Sequence, residues 1–237
     1  MKKTIGILGG MGPEATSYFF NLLIKLTSAK KDQDHIPVII VNNPKIPPRT
    51  DAYQKKGHSP VPFIVEGAQI LKNAGADFIV MPCITVHLFL SEIQKKIDIP
   101  FLDLINETAD WICTRFPELQ NAGLIASTGT LHSQIFQNAF TEKGIHIIHP
   151  SEKRQEDVME AIFGEKGIKA GFTEGACKSV IQETAIQLIR KGAEAIIAGC
   201  TEIPLVLHTE DLQNPIMDPL RIGAEACILK AGYNLKT

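Results

Sequence analysis

No stretch of this 237-residue chain approaches the ~18 consecutive apolar residues of a membrane span, so it contains no reading as a transmembrane helix. It also lacks a dominant charge. Its 24 lysines and arginines are scattered among 26 acidic residues, for a formal net charge of -2. That balance gives no electrostatic footprint for nucleic acid or an anionic membrane, and leaves a small molecule as the expected partner. Paired cysteines are missing too. The five cysteines are odd in number and contain no C-x-x-C, which excludes a disulfide framework and a zinc site. Free thiols in a reducing, cytoplasmic setting are the expectation. The opening MKKTIGILGG has two lysines before an apolar run, as a signal peptide does. Glycines stop that run, Glu14 follows closely, and no small-residue cleavage site appears, so it reads as a first strand.

What is present is a core-forming chain with internal symmetry. At 44% hydrophobic residues, the sequence is long enough for one large α/β domain or two small ones. Residues 77–88 (DFIVMPCITVHL) and 194–205 (EAIIAGCTEIPL) each place a cysteine just past an apolar run, with Cys83 and Cys200 offset by 117. The same offset pairs Gly75 with Gly192 and Ala76 with Ala193. Near the amino end it pairs Gly6 with Gly123, Gly12 with Gly129 and Phe19 with Phe136. A third landmark, IPFLD at 99–103 against NPIMD at 214–218, slips by two residues. Three matches in one order indicate an internal duplication.

Each copy alternates strand and helix, the pattern of a parallel sheet covered by helices. Strands are expected near 4–8, 38–42 and 77–81, then near 123–126, 145–148 and 194–198. Helices are expected near 13–30, 61–74, 131–143 and 173–191. The predicted fold is α/β, with two pseudosymmetric parallel-sheet domains. The first covers 1–103, joined by the C-terminal segment 218–237, and the second covers 104–217. Functional groups in open parallel sheets gather at the carboxyl ends of strands. A pseudo-twofold axis would then bring Cys83 and Cys200 to opposite sides of one cleft.

Opposed thiols suit inversion of a carbon acid, in which a base removes a proton from one face and an acid returns one from the other. A free cysteine, with a pKa of ~8.5, is only a few per cent thiolate at neutral pH and needs help to act as base. Both cysteines precede helix-like segments, whose amino termini supply at most about 2 kcal/mol. His87 and Glu202 are candidates to hold or exchange protons with the thiols. Cys113, Cys177 and Cys227 read as small buried hydrophobes. A metal site at Cys83 and His87 is not expected, since no further histidine or cysteine lies at ligand spacing.

The turn GGMGPEAT allows two readings. Gly10, Gly12 and Ala15 fit G-x-G-x-x-A after a strand, a dinucleotide form, but the next strand ends in Asn42 and Asn43 without the acidic residue that takes a ribose. Alternatively, Pro13 at a first helical position leaves backbone N–H groups free for a small anion such as a carboxylate. In the proline-stiffened loop KIPPRTDAY, Arg49 could grip a substrate carboxylate through two parallel hydrogen bonds, and Lys169 is a similar candidate.

At GGMGPEAT, PPRT, MPCITVH, IKAG and GCTEIPL the chain resembles the aspartate/glutamate racemase family of cofactor-independent amino-acid racemases, and the resemblance spans essentially its whole length. It implies two pseudosymmetric domains with the site between them, no pyridoxal phosphate or metal, and a homodimer. By motif, Cys83 and Cys200 take the catalytic roles. Met11, Gly12, Arg49, Thr50, Ile84, Thr85, Thr128, Lys169, Thr201 and Glu202 fall at substrate-binding positions. One position departs: Ile84 stands where the family usually has asparagine, which removes an amide donor and acceptor from the pocket. The implied activity is racemisation of an acidic amino acid, aspartate first and glutamate second. The alternatives are another cysteine reaction of the superfamily, on an unsaturated diacid or a malonate, and a non-catalytic dicarboxylate-binding protein.

Overall fold

The computed structural model describes residues 2–236 and is α/β, with two parallel sheets. Two compact units divide the chain. One runs through Glu107 and resumes at Leu220; the other spans Thr108–Pro219.

In the first unit, β1 (Ile5–Gly9) is the middle strand, flanked by β2 (Val38–Asn42) and β3 (Phe78–Val80), all parallel. Every residue of β1 and β3 is buried, which is why both read as continuous apolar runs rather than alternating ones. Ile5, Ile7, Phe78 and Val80 pack on one face against α1 (Pro13–Leu26) and α10 (Pro219–Lys230), through Phe19, Ala224 and Ile228. Leu8, Ile79 and Met81 face the other way, onto α3 (Val61–Asn73). Short helices α2 (Arg49–Tyr53) and α4 (Leu90–Gln94) complete the unit, and the chain leaves it within α5 (Leu104–Arg115).

The second unit repeats the connectivity. Its sheet runs β5 (His146–Ile148), β4 (Asn121–Ile125), β6 (Ala195–Ala198), β7 (Ile216–Met217), all parallel. Around it lie α6 (Thr128–Ser133), α7 (Ile135–Thr141), α8 (Glu152–Phe163) and α9 (Ala176–Arg190). The β6–β7 pair, Ile196 with Ile216, has a counterpart in the first unit in the single parallel bridge of Ile79 to Phe101. That is the two-residue slip of the third sequence landmark, now visible as pairing.

The 117-residue offset has a packing cause. Buried positions Ile64, Ala68 and Leu71 of α3 recur as Ile181, Ala185 and Leu188 of α9, at the spacing of one helical face. Each helix ends in a glycine at positive φ, Gly75 at 93° and Gly192 at 100°. There the N–H of Ala76 reaches Leu71 O and that of Ala193 reaches Leu188 O, both at 3.0–3.1 Å. This is the left-handed helix stop that glycine adopts without Cβ strain. Gly6 and Gly123 let these helices approach the central strands. A Cβ on Gly6 would lie 3.0 Å from Ala76 Cβ, and one on Gly123 would lie 3.0 Å from Leu188 Cβ.

Several expectations are corrected. The helix expected over 131–143 is broken into α6 and α7 at Gln134, which adopts φ 56°. The first helix stops at Leu26 rather than 30, where Thr27 turns extended and its N–H and hydroxyl both bond Leu23 O. The segment after Cys83 begins as a 3₁₀ turn, Thr85–Phe89, that runs directly into the five-residue α4, and the one after Cys200 is a three-residue 3₁₀ turn, Ile203–Leu205, so neither cysteine stands at the start of a regular α-helix. No helix among the described residues is long and apolar enough to cross a membrane.

Candidate active site

In the first unit, β3 carries the chain through Met81 and Pro82 to Cys83, which is buried at 4% exposure. The Cys83 N–H turns back to Met81 O at 2.7 Å, and its Sγ lies 3.5 Å from the Thr85 hydroxyl. Ile84 is buried at 3% beside it. His87 does not meet the thiol; main-chain groups take both its ring nitrogens. Nδ1 lies 2.9 Å from Cys83 O and 3.3 Å from Ile84 O, while Nε2 accepts the Leu104 N–H at 3.2 Å. An acceptor Nε2 and a donor Nδ1 fix a neutral imidazole. Burial holds its pKa below 6.5, against the opposing charge of Asp103. His87 therefore fastens the Cys83 loop to the first residue of α5, a positioning role in place of the proton-exchange role its spacing suggested.

The glycine turn after β1 is built from Thr16 on α1. Its Oγ1 accepts the Gly10 N–H at 3.0 Å and donates to Gly12 O at 3.1 Å. Gly12 caps α1 ahead of Pro13 without a side-chain cap bond. Arg49 packs against this turn. Its Nη2 donates to Met11 O at 2.9 Å, its Nη1 to Pro47 O at 3.1 Å and Ile46 O at 3.4 Å, and Nε is buried without a partner among the described residues. The guanidinium binds main chain, and Thr50 follows it in α2, half-buried.

In the second unit, β6 and Gly199 lead to Cys200, which is partly exposed. Its thiol donates to Glu202 Oε2 at 2.9 Å, and the Thr201 hydroxyl donates to the same oxygen at 3.0 Å. Glu202 Oε1 pairs with Lys169 Nζ, which also lies 5.4 Å above the Phe163 ring. Glu202 is buried at 7%; burial pushes its carboxyl up, and the Lys169 charge with the bonds from Cys200, Lys169 and Thr201 turns the net shift downward. Burial, then the Glu202 charge and hydrogen bond, hold the Cys200 thiol well above 9.0, against the smaller pull of Lys169. At neutral pH the group beside Glu202 is a thiol. Thr128 opens α6, its N–H 3.2 Å from Met159 Sδ and its Oγ1 3.3 Å from Gln155 Nε2, at the edge of a cavity of about 620 Å³. Gln155 and Met159, which line this cavity beside Thr128, were not singled out from the sequence. The available signal was a polar residue on the same helical face as buried Val158 and Ile162.

The chain is similar to known proteins along nearly its whole length. The family model described as Asp/Glu/hydantoin racemase matches residues 8–227. The chain belongs to that family. It is accordingly an isomerase of the amino-acid racemase kind. It is 30% identical to the broad specificity amino-acid racemase RacX of Bacillus subtilis (strain 168), covering 96% of this chain and 95% of the relative. Among solved structures, Picrophilus torridus aspartate racemase is similar with a TM-score of 0.88 and 32% identity, covering 99% of this chain and 96% of that one. A glutamate racemase from Francisella tularensis subsp. tularensis SCHU S4 in complex with D-glutamate has a TM-score of 0.68. It covers 100% of this chain and 84% of that one, and at 18% identity shares the fold alone.

Proposed function

We propose that this racemase inverts an acidic amino acid, aspartate first and glutamate second, by a two-base mechanism in which Cys83 and Cys200 work on opposite faces of Cα. The observation that carries the reading is their equivalent position, each just past the strand of its sheet that pairs with the central one, β3 and β6, 117 residues apart. The 32% identity to an aspartate racemase supports the substrate. One cysteine, as the thiolate, removes the Cα proton and becomes a thiol, the carbanion takes the proton of the other cysteine's thiol, which becomes the thiolate, and each half of the chain contributes one of the two. Thr85 beside Cys83, and Thr201 with the Lys169–Glu202 pair beside Cys200, supply polar groups next to the two sulfurs. A cytoplasmic homodimer is the setting this reading carries with it.

A second reading, turnover of a wider range of amino acids, is favoured by the engagement of both nominated cations, Arg49 on carbonyls and Lys169 on Glu202. The same test addresses both. L-aspartate, L-glutamate and a set of neutral and basic amino acids are incubated without added cofactor, and the D-enantiomer formed is measured. Cys83→Ala and Cys200→Ala should each abolish inversion while retaining aspartate binding by calorimetry. A single variant with wild-type turnover would remove the two-thiol mechanism.

A further inference from the structure

The cavity of about 620 Å³ beside Thr128 is of the size that holds a small molecule, and no step of the proposed chemistry uses it. Its walls offer acceptors. Glu152, Glu156 and Glu160 line it at four-residue spacing on α8, so they form one exposed stripe of like charge, an arrangement that repels itself. Among the described residues, no cation or hydrogen-bond donor pairs with these three carboxylates. Gln155, from the same helix, lies in the wall at 8% exposure. Its Nε2 donates to Ala126 O at 2.9 Å, which fixes the amide, because turning it over would set oxygen against carbonyl oxygen. Its Oε1 is then a buried acceptor with no donor among the described residues. Met159 and the half-exposed ring of Phe163 add apolar wall.

Contacts within this one unit lead from the cavity to a proposed reacting sulfur. The Phe163 ring lies 5.4 Å from Lys169 Nζ, Lys169 pairs with Glu202, and Glu202 accepts from the Cys200 thiol. Thr128, which lines the cavity, is itself a proposed substrate-binding residue. Resting on the racemase reading in its broader form, we infer that this cavity is the side-chain subsite for a basic amino acid, a primary ammonium on an aliphatic stem as in lysine or ornithine. The stem lies along Met159 and Phe163, and the ammonium meets the carboxylate stripe. An ammonium carries donors and no acceptor, which matches a wall of carboxylates and an unpaired amide oxygen. The shorter, anionic side chain of aspartate does not call on these carboxylates, so basic amino acids extend the substrate range and do not replace the acidic ones.

The test assays L-lysine, L-ornithine and L-norleucine, which has the lysine stem without the ammonium, beside L-aspartate for the D-enantiomer formed. Lysine should be inverted with a kcat/KM about tenfold or more above that of norleucine. In the double variant Glu156→Gln, Glu160→Gln, at two exposed helix positions, the lysine-to-aspartate ratio of kcat/KM should fall about fivefold, chiefly through KM for lysine. Added salt should lower that ratio more in wild type than in the variant. If the double variant fails to fold, Glu160→Gln alone should show the same shift in weaker form. Inversion of aspartate without inversion of lysine, lysine turned over no better than norleucine, or an unchanged ratio in the variants would each overturn the subsite and leave the racemase reading standing. Absence of turnover on every amino acid would instead remove that reading, and the subsite with it.

Discussion

Arg49 donates from Nη2 to the main-chain carbonyl of Met11 at 2.9 Å, tying the loop after β2 to the glycine turn after β1 across 38 residues of sequence. Two further bonds from Nη1, to Pro47 O and Ile46 O, make the guanidinium the centre of a main-chain clasp. An ammonium is a single point of donors and cannot reproduce that fork. Arg49→Lys should therefore lower kcat/KM for aspartate by about tenfold, through loss of the charged hydrogen bond to Met11 O that holds the glycine turn, roughly 1.5–3 kcal/mol. It should also lower thermal stability, because the clasp orders two loops. Unchanged kcat/KM together with an unchanged melting temperature would show that neither the clasp nor a substrate contact depends on the fork.

His87 gives a pH prediction with a fixed sign. Its folded-state pKa lies below the usual 6.5 because burial disfavours the imidazolium. The unfolded chain therefore binds the proton more readily than the folded one as the pH drops below about 6.5. The stability this neutral histidine contributes is intact above that pH and is lost as pH falls through the folded-state value. His87→Gln retains an amide donor for the Cys83 carbonyl and an acceptor for the Leu104 N–H, and does not titrate. Thermal melts of both proteins from pH 7.5 to 5.0 should show wild type losing stability faster than the variant. Parallel curves would mean that His87 does not titrate on unfolding.

The parts of the fold legible in the sequence were those whose cause is local or repeated. β1 and β3 are apolar runs closed by glycine or proline, and the Gly75 and Gly192 helix stops mark the ends of α3 and α9. The break at Gln134 was not legible, because glutamine has no preference for the left-handed region and only the surrounding structure holds it there. Sequence reading leaves α2, α4, α5, α8 and α10 unassigned. In α8 the buried positions Gln155, Val158, Ala161 and Ile162 include a glutamine, so the apolar stripe is thin. At the site, the strand-end placement of Cys83 and Cys200 follows from β-strand patterning. The differing partners of the two thiols do not, since nothing in the spacing of His87 distinguishes a thiol partner from a pair of main-chain partners. The ion pair of Lys169 with Glu202 joins residues 33 apart, beyond the reach of any local pattern.

Ile84 is the proposed substrate-binding position next to Cys83 in sequence. It adjoins Cys83, is 3% exposed, and its carbonyl accepts from His87. Asparagine, usual at this place in the family, would add an amide donor and acceptor. Ile84→Asn places a polar group in a buried setting, which costs about 1–3 kcal/mol of stability in the ligand-free protein unless it finds a partner. With an acidic amino acid bound, the same amide can pair with a charged group of the substrate, a bond of roughly 1.5–3 kcal/mol or about ten- to a hundredfold in kcat/KM. The expected result is therefore a split: a lower melting temperature without ligand, and a higher kcat/KM on L- and D-aspartate. Assays on L-glutamate, on a neutral amino acid and on a small unsaturated diacid set the comparison. A folded Ile84→Asn that turns over aspartate more slowly than wild type, while another substrate in that set is the one wild type prefers, would assign Ile84 to an apolar contact with that substrate and remove aspartate as the ligand this pocket is built for.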